Sequence, residues 1–347
     1  MQPLESIDIN FKVETNIEKN DICFYTALQH PFSIHGLIHE NGQFRRMPEA
    51  VAKTVSPGVH YLHSNTAGGR IRFKTDSQYI AISAKMQRVG KMDHFALTGS
   101  AGFDLYEDGH FFSTFRPPYT MEDGFQSLLD FPNKKMREIE INFPLYSEVC
   151  ELYIGLQKDA SVDSPTPYKW NKPVVFYGNS VTQGGCASRP GNAYPAILSR
   201  WHNFDYINLG FSGNGKGEQE MVDYISGIDM SMFVMDYDHN SPDVEHLQIT
   251  HPNMYNAVRT SHPNIPIIMM TAISSTWVLP RHFERRDVIY KTYIDALNNG
   301  DKNVYFWDGT KGFAPYADYG TVEGSHPNDM GFHGIAKSLS DLIKQIV

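Results

Sequence analysis

The stretch PVVFYGNSVTQGG, residues 173–185, decides the reading of this chain. Val174 to Tyr177 run unbroken to Gly178, the composition of a strand buried on both faces. After Gly178-Asn179-Ser180 the pattern changes to one that suits a helix. A serine on such a turn stands at a strand end, beside helix N–H groups that stabilise developing negative charge. The competing reading of Ser180 is a plain helix N-cap whose hydroxyl only satisfies backbone donors.

Four more segments share the buried-strand character: FDYINLG (204–210), MFVMDY (232–237), IPIIMMTA (265–272) and NVYFWD (303–308). Helical stretches separate them, and the last helix places Ile335, Leu339, Leu342, Ile343 and Ile346 on one face. Strands alternating with helices predict an α/β domain over 172–347, a doubly wound, five-stranded parallel sheet whose ligands bind beyond the carboxyl ends of the strands.

Upstream the period changes from helical to two. The segment 157–173 carries three prolines and reads as a linker. Before it, RIRFKT (70–75), YIAISA (79–84), REIEINF (137–143) and CELYIGL (150–156) read as short strands. In REIEINF, Ile139, Ile141 and Phe143 should face a core while Glu138, Glu140 and Asn142 face water. Asp108-Gly109 between two β-rich runs is a strong hairpin signal. No convincing helical period occurs between about 50 and 155. Residues 1–165 are therefore expected to form an all-β sandwich of jelly-roll type.

Composition agrees with two globular domains. The chain has 347 residues, 41% of them apolar and 20% charged, which excludes a disordered or collagen-like chain. Its net charge of −9 lacks the footprint of a general nucleic-acid binder and disfavours anionic polymers as substrate. Cys23, Cys150 and Cys186 are too scattered for a disulfide framework, and no CxxC pair suggests zinc. His35 and His39, and His60 and His63, have spacings a metal could use. They lack an accompanying Cys or carboxylate pattern and read as surface or packing residues, so no metal or cofactor is expected. The N-terminus lacks a basic, then apolar, leader pattern, and no run of apolar residues would span a bilayer. A cytoplasmic chain with no membrane partner is the expectation, and nothing in the sequence sets an oligomeric state.

The remaining strand ends carry further candidates. NLGFSGNGKGE (208–218) contains GxxxxGK, most of a phosphate-binding loop, but Gly217 stands where a Ser or Thr hydroxyl should be. Nucleotide binding through Lys216 is one reading; the other is an oxyanion donor, the N–H of Gly213. MDYDHNSPD (235–243) offers the Asn240 side-chain amide, as a donor or as a turn residue. In TVEGSHPNDMGFHG (321–334), Glu323 precedes His326 by three, so its carboxylate can accept from Nδ1 and leave Nε2 as a general base. Asp318 and Asp329 lie close enough in sequence to compete for that role, and Asn328 or Asp329 can cap the last helix. Cys186, six residues after Ser180, has no base in its motif and reads as a buried small side chain.

Singly these signals are weak; their joint order is not. The second half resembles the SGNH (GDSL-type) hydrolase family: GNSVTQGG its first block, GFSGNG its glycine block, DYDHN its asparagine block and EGSHPN its DxxHP block. GFDLY (102–106) and TAGGRIRFKTDS (66–77) resemble the GxDLY β-domain that precedes some of these esterases. The resemblance implies a flavodoxin-like hydrolase domain with Ser180 as nucleophile, His326 as base and Glu323 as acid. Ser180, Gly213 and Asn240 would form the oxyanion hole. The chain departs from the family at Asn179 and Glu323, both of which replace an aspartate. The resemblance further implies a carbohydrate O-acetylesterase. Alternatives are a short-chain esterase or thioesterase of another metabolite, a nucleotide binder, or an inactive carbohydrate-binding protein. Tyr177, Tyr237, Trp277 and Trp307 could stack on a sugar or belong to the core.

Overall fold

A computed structural model describes residues 1–3, 13–273 and 280–346, which divide into two compact units. The first comprises residues 1–46, 64–167 and 188–191. Its strands are β1 (Ile22–Thr26), β2 (Ser33–His35), β3 (Ile38–Glu40), β4 (Gln43–Arg45), β5 (Arg70–Thr75), β6 (Tyr79–Arg88), β7 (Phe103–Glu107), β8 (His110–Phe115), β9 (Gly124–Asp130), β10 (Arg137–Asn142), β11 (Glu148–Gln157) and β12 (Val162–Asp163). One sheet has the order β1-β11-β6-β9 and the other β12-β5-β10-β7-β8, with β2 added on β5. Their pairings are antiparallel. Ile80, Ile82 and Ile154 from the first sheet and Phe73, Phe103 and Ile141 from the second share one core. Each such side chain contributes roughly 1.5–3 kcal/mol by leaving water. Asp108 and Gly109 both have positive φ, 52° and 82°, as a two-residue hairpin between twisted strands requires.

Two expectations for this half are corrected. Ile139, Ile141 and Phe143 are buried as expected, but Asn142 does not face water: it is buried and donates to Asp104 Oδ1 at 2.9 Å. Alternation correctly put Asn142 on the face opposite Ile141, but other chain covers that face. Helices also exist in the interval read as free of them. They are α1 (Glu49–Val55), α2 (Pro57–Leu62) and a single turn at Leu97–Ser100, all too short to show a period.

Residues 47–63, which hold α1 and α2, belong to the second unit together with 168–187 and 192–347, so the boundary at 165 does not describe the whole division. The predicted linker also begins late, because β12 within it pairs with β5. The second unit continues with β13 (Val174–Gly178), α3 (Ser180–Gln183), α4 (Tyr194–His202), β14 (Tyr206–Gly210), α5 (Gln219–Ser226), β15 (Met232–Asp236), α6 (Val244–Ser261), β16 (Ile267–Met270), α7 (Pro280–Asn298), β17 (Val304–Trp307) and α8 (Asp329–Ile346). Its five strands are parallel in the order β14-β13-β15-β16-β17, the doubly wound sheet expected. The order reverses at β13, which places the crevice beyond that strand's carboxyl end. Met47, Ala52, Val55, Val59 and Leu62 join Val175, Leu209 and Phe233 in this unit's core. On α8, Ile335, Leu339 and Ile343 are buried. Among the described residues no helix is long and apolar enough to cross a membrane.

Candidate active site

At the end of β13 the backbone turns where only glycine fits. A Cβ on Gly178 would lie 2.2 Å from Thr182 Oγ1 and 2.5 Å from the Asp236 carbonyl oxygen. Asn179 is the N-cap of α3: its Oδ1 accepts from the Val181 N–H at 2.7 Å, and its Nδ2 donates to the Asp236 carbonyl at 2.9 Å. Capping by Asn179 removes the reading of the serine as the N-cap. Ser180 is relieved of that duty, and its Oγ lies 3.0 Å from His326 Nε2.

His326 sits in a surface turn before α8. The Val322 N–H donates to its carbonyl at 2.9 Å, and Gly324 takes a left-handed φ of 89° to close the turn. That closure brings Glu323 Oε1 to 2.5 Å from His326 Nδ1, while the His326 N–H donates to both carboxylate oxygens at 3.2 and 3.3 Å. Partial burial disfavours charge on Glu323. The hydrogen bond and charge of His326, with the backbone N–H, outweigh it and hold the carboxyl below its ordinary range.

Ser180, Gly213, Asn240 and His326 line one cleft of about 290 Å³. Gly213 has φ 70°, and a Cβ there would meet nothing within 4 Å, so this point of the loop borders open space. Its neighbours are engaged. The N–H groups of Asn214 and Gly215 donate to Phe211, that of Ser212 to Gln183 Oε1 and that of Gly217 to the Tyr177 hydroxyl. A phosphate cradle needs those donors free, which removes the support for nucleotide binding. Asn240 ends a short 3₁₀ turn after β15, and among the described residues its buried Oδ1 has no hydrogen-bond partner. A larger cleft of about 970 Å³ lies along α6 and α7, lined by Asp243, Glu245, Glu284 and Lys291 among others, with no serine or histidine among the described residues of its wall.

Other candidates resolve as packing. Tyr177, Tyr237 and Trp307 are buried core side chains, and Trp277 lies outside the described residues. Cys186 is buried, and that burial first, then Glu323, pushes its thiol up to about 12, which keeps it from acting as a thiolate. His60 and His63 stack with ring centroids 5.2 Å apart, and His39 packs edge-on against Phe44.

Sequence reasoning missed the acids beneath the serine. Asp236 Oδ2 accepts from Thr182 Oγ1 at 2.7 Å and from the Tyr194 hydroxyl at 3.3 Å. Burial pushes its carboxyl up to about 8, which favours the protonated form over the charged one beneath Ser180. Asp238 accepts the Ala272 N–H at 2.9 Å, and burial pushes it up to about 6. Arg285 donates to the Asp238 carbonyl, which ties α7 to the turn that carries Asn240. Nothing local announces these residues, because Thr182 and Tyr194 are 54 and 42 positions from Asp236.

The fold and the site define the class, a doubly wound hydrolase of the SGNH type. The chain belongs to the GDSL-like lipase/acylhydrolase family, whose model matches residues 171–344. Residues 22–162 match the GxDLY domain, described as the N-terminus of SGNH-type esterases. A putative GDSL-like lipase from Bacteroides ovatus has 30% identity over 94% of this chain and 98% of its own, with a TM-score of 0.84. The salicylyl-acyltransferase SsfX3 of a tetracycline biosynthetic pathway has 18% identity over 94% and 98%, with a TM-score of 0.79. An acetyl xylan esterase from the rumen bacterium Butyrivibrio proteoclasticus has 13% identity over 93% and 98%, with a TM-score of 0.59. The last two are likenesses of fold alone. No curated protein matches the chain.

Proposed function

We propose that the chain is a serine esterase that removes short acyl groups, acetyl in the first instance, from a carbohydrate through an acyl-enzyme intermediate. The observation that carries the proposal is the unbroken line from Ser180 Oγ through His326 to Glu323, at 3.0 and 2.5 Å. Ser180 Oγ attacks the ester carbonyl while His326 Nε2 takes its proton. The oxyanion so formed is held by the N–H groups of Ser180 and Gly213 and the Asn240 amide. His326 then passes the proton to the departing alkoxide, leaving the acyl group on Ser180, and water repeats the sequence to free the acid. Glu323, whose ionised form the His326 contacts favour, stabilises the imidazolium in both halves.

A cleft of about 290 Å³ is at the small end for ligand sites, which favours a short acyl group. The net charge of −9 favours a neutral substrate, and an acetyl xylan esterase shares the fold. The deciding measurement is hydrolysis of p-nitrophenyl acetate by wild type and Ser180→Ala. Equal rates would remove the nucleophile. Faster turnover of hexanoate than acetate would remove the short-acyl assignment, and preference for acetyl thioesters over acetylated sugars would remove the carbohydrate.

A further inference from the structure

The motif GFDLY (102–106) takes no part in the cleft, yet its alternation is physically informative. Along β7, Phe103 and Leu105 point into the sandwich core, so Asp104 and Tyr106 point to the opposite face. That face is not open to water either, since Asp104 is 0% and Tyr106 4% exposed. What occupies it is Ser188–Gly191, the four residues of the later chain that belong to the first unit.

The contacts form a clasp. Asp104 Oδ2 accepts from the Gly191 N–H at 2.9 Å and from Arg189 at 3.3 Å, while its Oδ1 accepts from Asn142 at 2.9 Å. The same Arg189 group donates to the Tyr106 hydroxyl, and the guanidinium lies 3.7 Å over the ring of Phe111. Thr98 Oγ1 donates to the Ser188 carbonyl at 2.6 Å. Only glycine fits at 191, where a Cβ would come within 2.5 Å of the Tyr106 hydroxyl and 2.7 Å of Asp104 Oδ2.

The clasped segment is tied along the chain to the nucleophile. The Ser180 carbonyl accepts the N–H groups of Gly184 and Gly185 at 3.0 and 2.7 Å, and the Ala187 N–H donates to Gly184 at 3.2 Å. Ser188 follows directly. Between the backbone of Ser180 and the clasp there is only this hydrogen-bonded turn, bent by left-handed φ values of 102° at Gly184 and 74° at Cys186.

We propose that Asp104 is a positioning residue for acyl transfer, acting through its clasp on Ser188–Gly191 to hold the far end of the turn that carries Ser180. The proposal rests on Ser180 being the nucleophile. Removing the carboxylate takes an acceptor from two buried donors, the Asn142 amide and the Gly191 N–H, and from the half-buried Arg189, and slack in the turn moves Oγ relative to His326; displacements near 1 Å cost up to about 100-fold. Asp104→Ala should therefore lower kcat on an acetyl ester about 10- to 100-fold with KM little changed. Asp104→Asn, which keeps an acceptor for Gly191, should recover part of that loss, and Arg189→Ala should fall between. Hydrogen–deuterium exchange of the segment 184–192 should accelerate in the same order.

A fall in kcat that matches the loss of folded protein, read from thermal melting and from titration with a serine-reactive fluorophosphonate, would overturn the positioning role. So would faster exchange with unchanged kcat. If Asp104→Ala does not fold, Arg189→Ala and Gly191→Ala decide by the same readouts. A wild type without Ser180-dependent hydrolysis would strike the functional reading itself, an outcome separate from an active wild type that Asp104 does not influence.

Discussion

Ser180 and His326 meet at 3.0 Å but are held there by opposite means. On the serine side Asn179, Thr182, Gln183 and Asp236 are all buried, and local bonds are joined by two, from Asn179 and Thr182 to Asp236, that reach more than fifty positions along the chain. On the histidine side the Glu323 side chain is 40% exposed, and the turn is closed by bonds within residues 321–326. The contrast separates two requirements of acid–base chemistry. The atom that must stay in place is set in the core, where packing resists small shifts. His326, which gains a charge in each cycle of the proposed mechanism, has a side chain 26% exposed, so an imidazolium there keeps part of its contact with water.

The largest expected effect tests whether the two halves act as a unit. His326→Ala should lower kcat on p-nitrophenyl acetate by on the order of 10⁴-fold or more, as should Ser180→Ala, and the double variant should be no worse than either. Additive losses would show that the halves work independently. Asn240→Ala should come next, at ~10²–10³ in kcat with a smaller change in KM; an effect confined to KM would make Asn240 a binding residue instead. Gly178→Ala should destabilise by about 1–3 kcal/mol in denaturant unfolding, because neither the Asp236 carbonyl nor Thr182 can withdraw from the added methyl. A neutral result would show that the buried half is softer than its burial implies.

The pH-dependent effects have opposite signs on the two sides. Glu323 titrates lower folded than unfolded, so its stabilising contribution is complete above the ordinary glutamate value of about 4.3 and is lost as pH falls through the folded value. Asp236, raised to about 8, keeps its proton in the folded state while the unfolded chain releases it near 4, so stability declines as pH rises between those values. Thermal melting across pH should therefore show Glu323→Gln flattening the fall at the acid end and Asp236→Asn flattening the decline between about pH 4 and 8. Curves parallel to wild type for both would cancel the electrostatic contrast.

How much was legible from sequence follows the same division. The five parallel strands announce themselves because strands covered on both faces need unbroken apolar runs. Glu323 and His326 were readable because a local turn joins them. Asp236 was not, since it closes an apolar run and meets its partners only after folding. The helices at 49–62 escaped because six or seven residues carry too little period. A signal did exist in Ser56-Pro57, where the serine side chain caps α2 by accepting from the Val59 N–H and proline occupies the first turn. Asn142 shows the limit of the alternation rule, which identifies a face without saying what covers it.

The assignment of residues 47–63 to the hydrolase core bears on how this protein could be divided or recombined. A chain begun at residue 168 would carry the whole parallel sheet but lack Met47, Ala52, Val55, Val59 and Leu62, five buried members of its core. At roughly 1.5–3 kcal/mol for each of the larger side chains, that deficit rivals the net stability of a typical domain. It would also lack Gly58, whose missing side chain leaves room for Asn214 beside Gly213. The chain enters the second unit, leaves it and returns twice, so no single cut yields two complete pieces. Exchange of the β-rich half between relatives would have to leave residues 47–63 with the catalytic half and Ser188–Gly191 with the sandwich that clasps them.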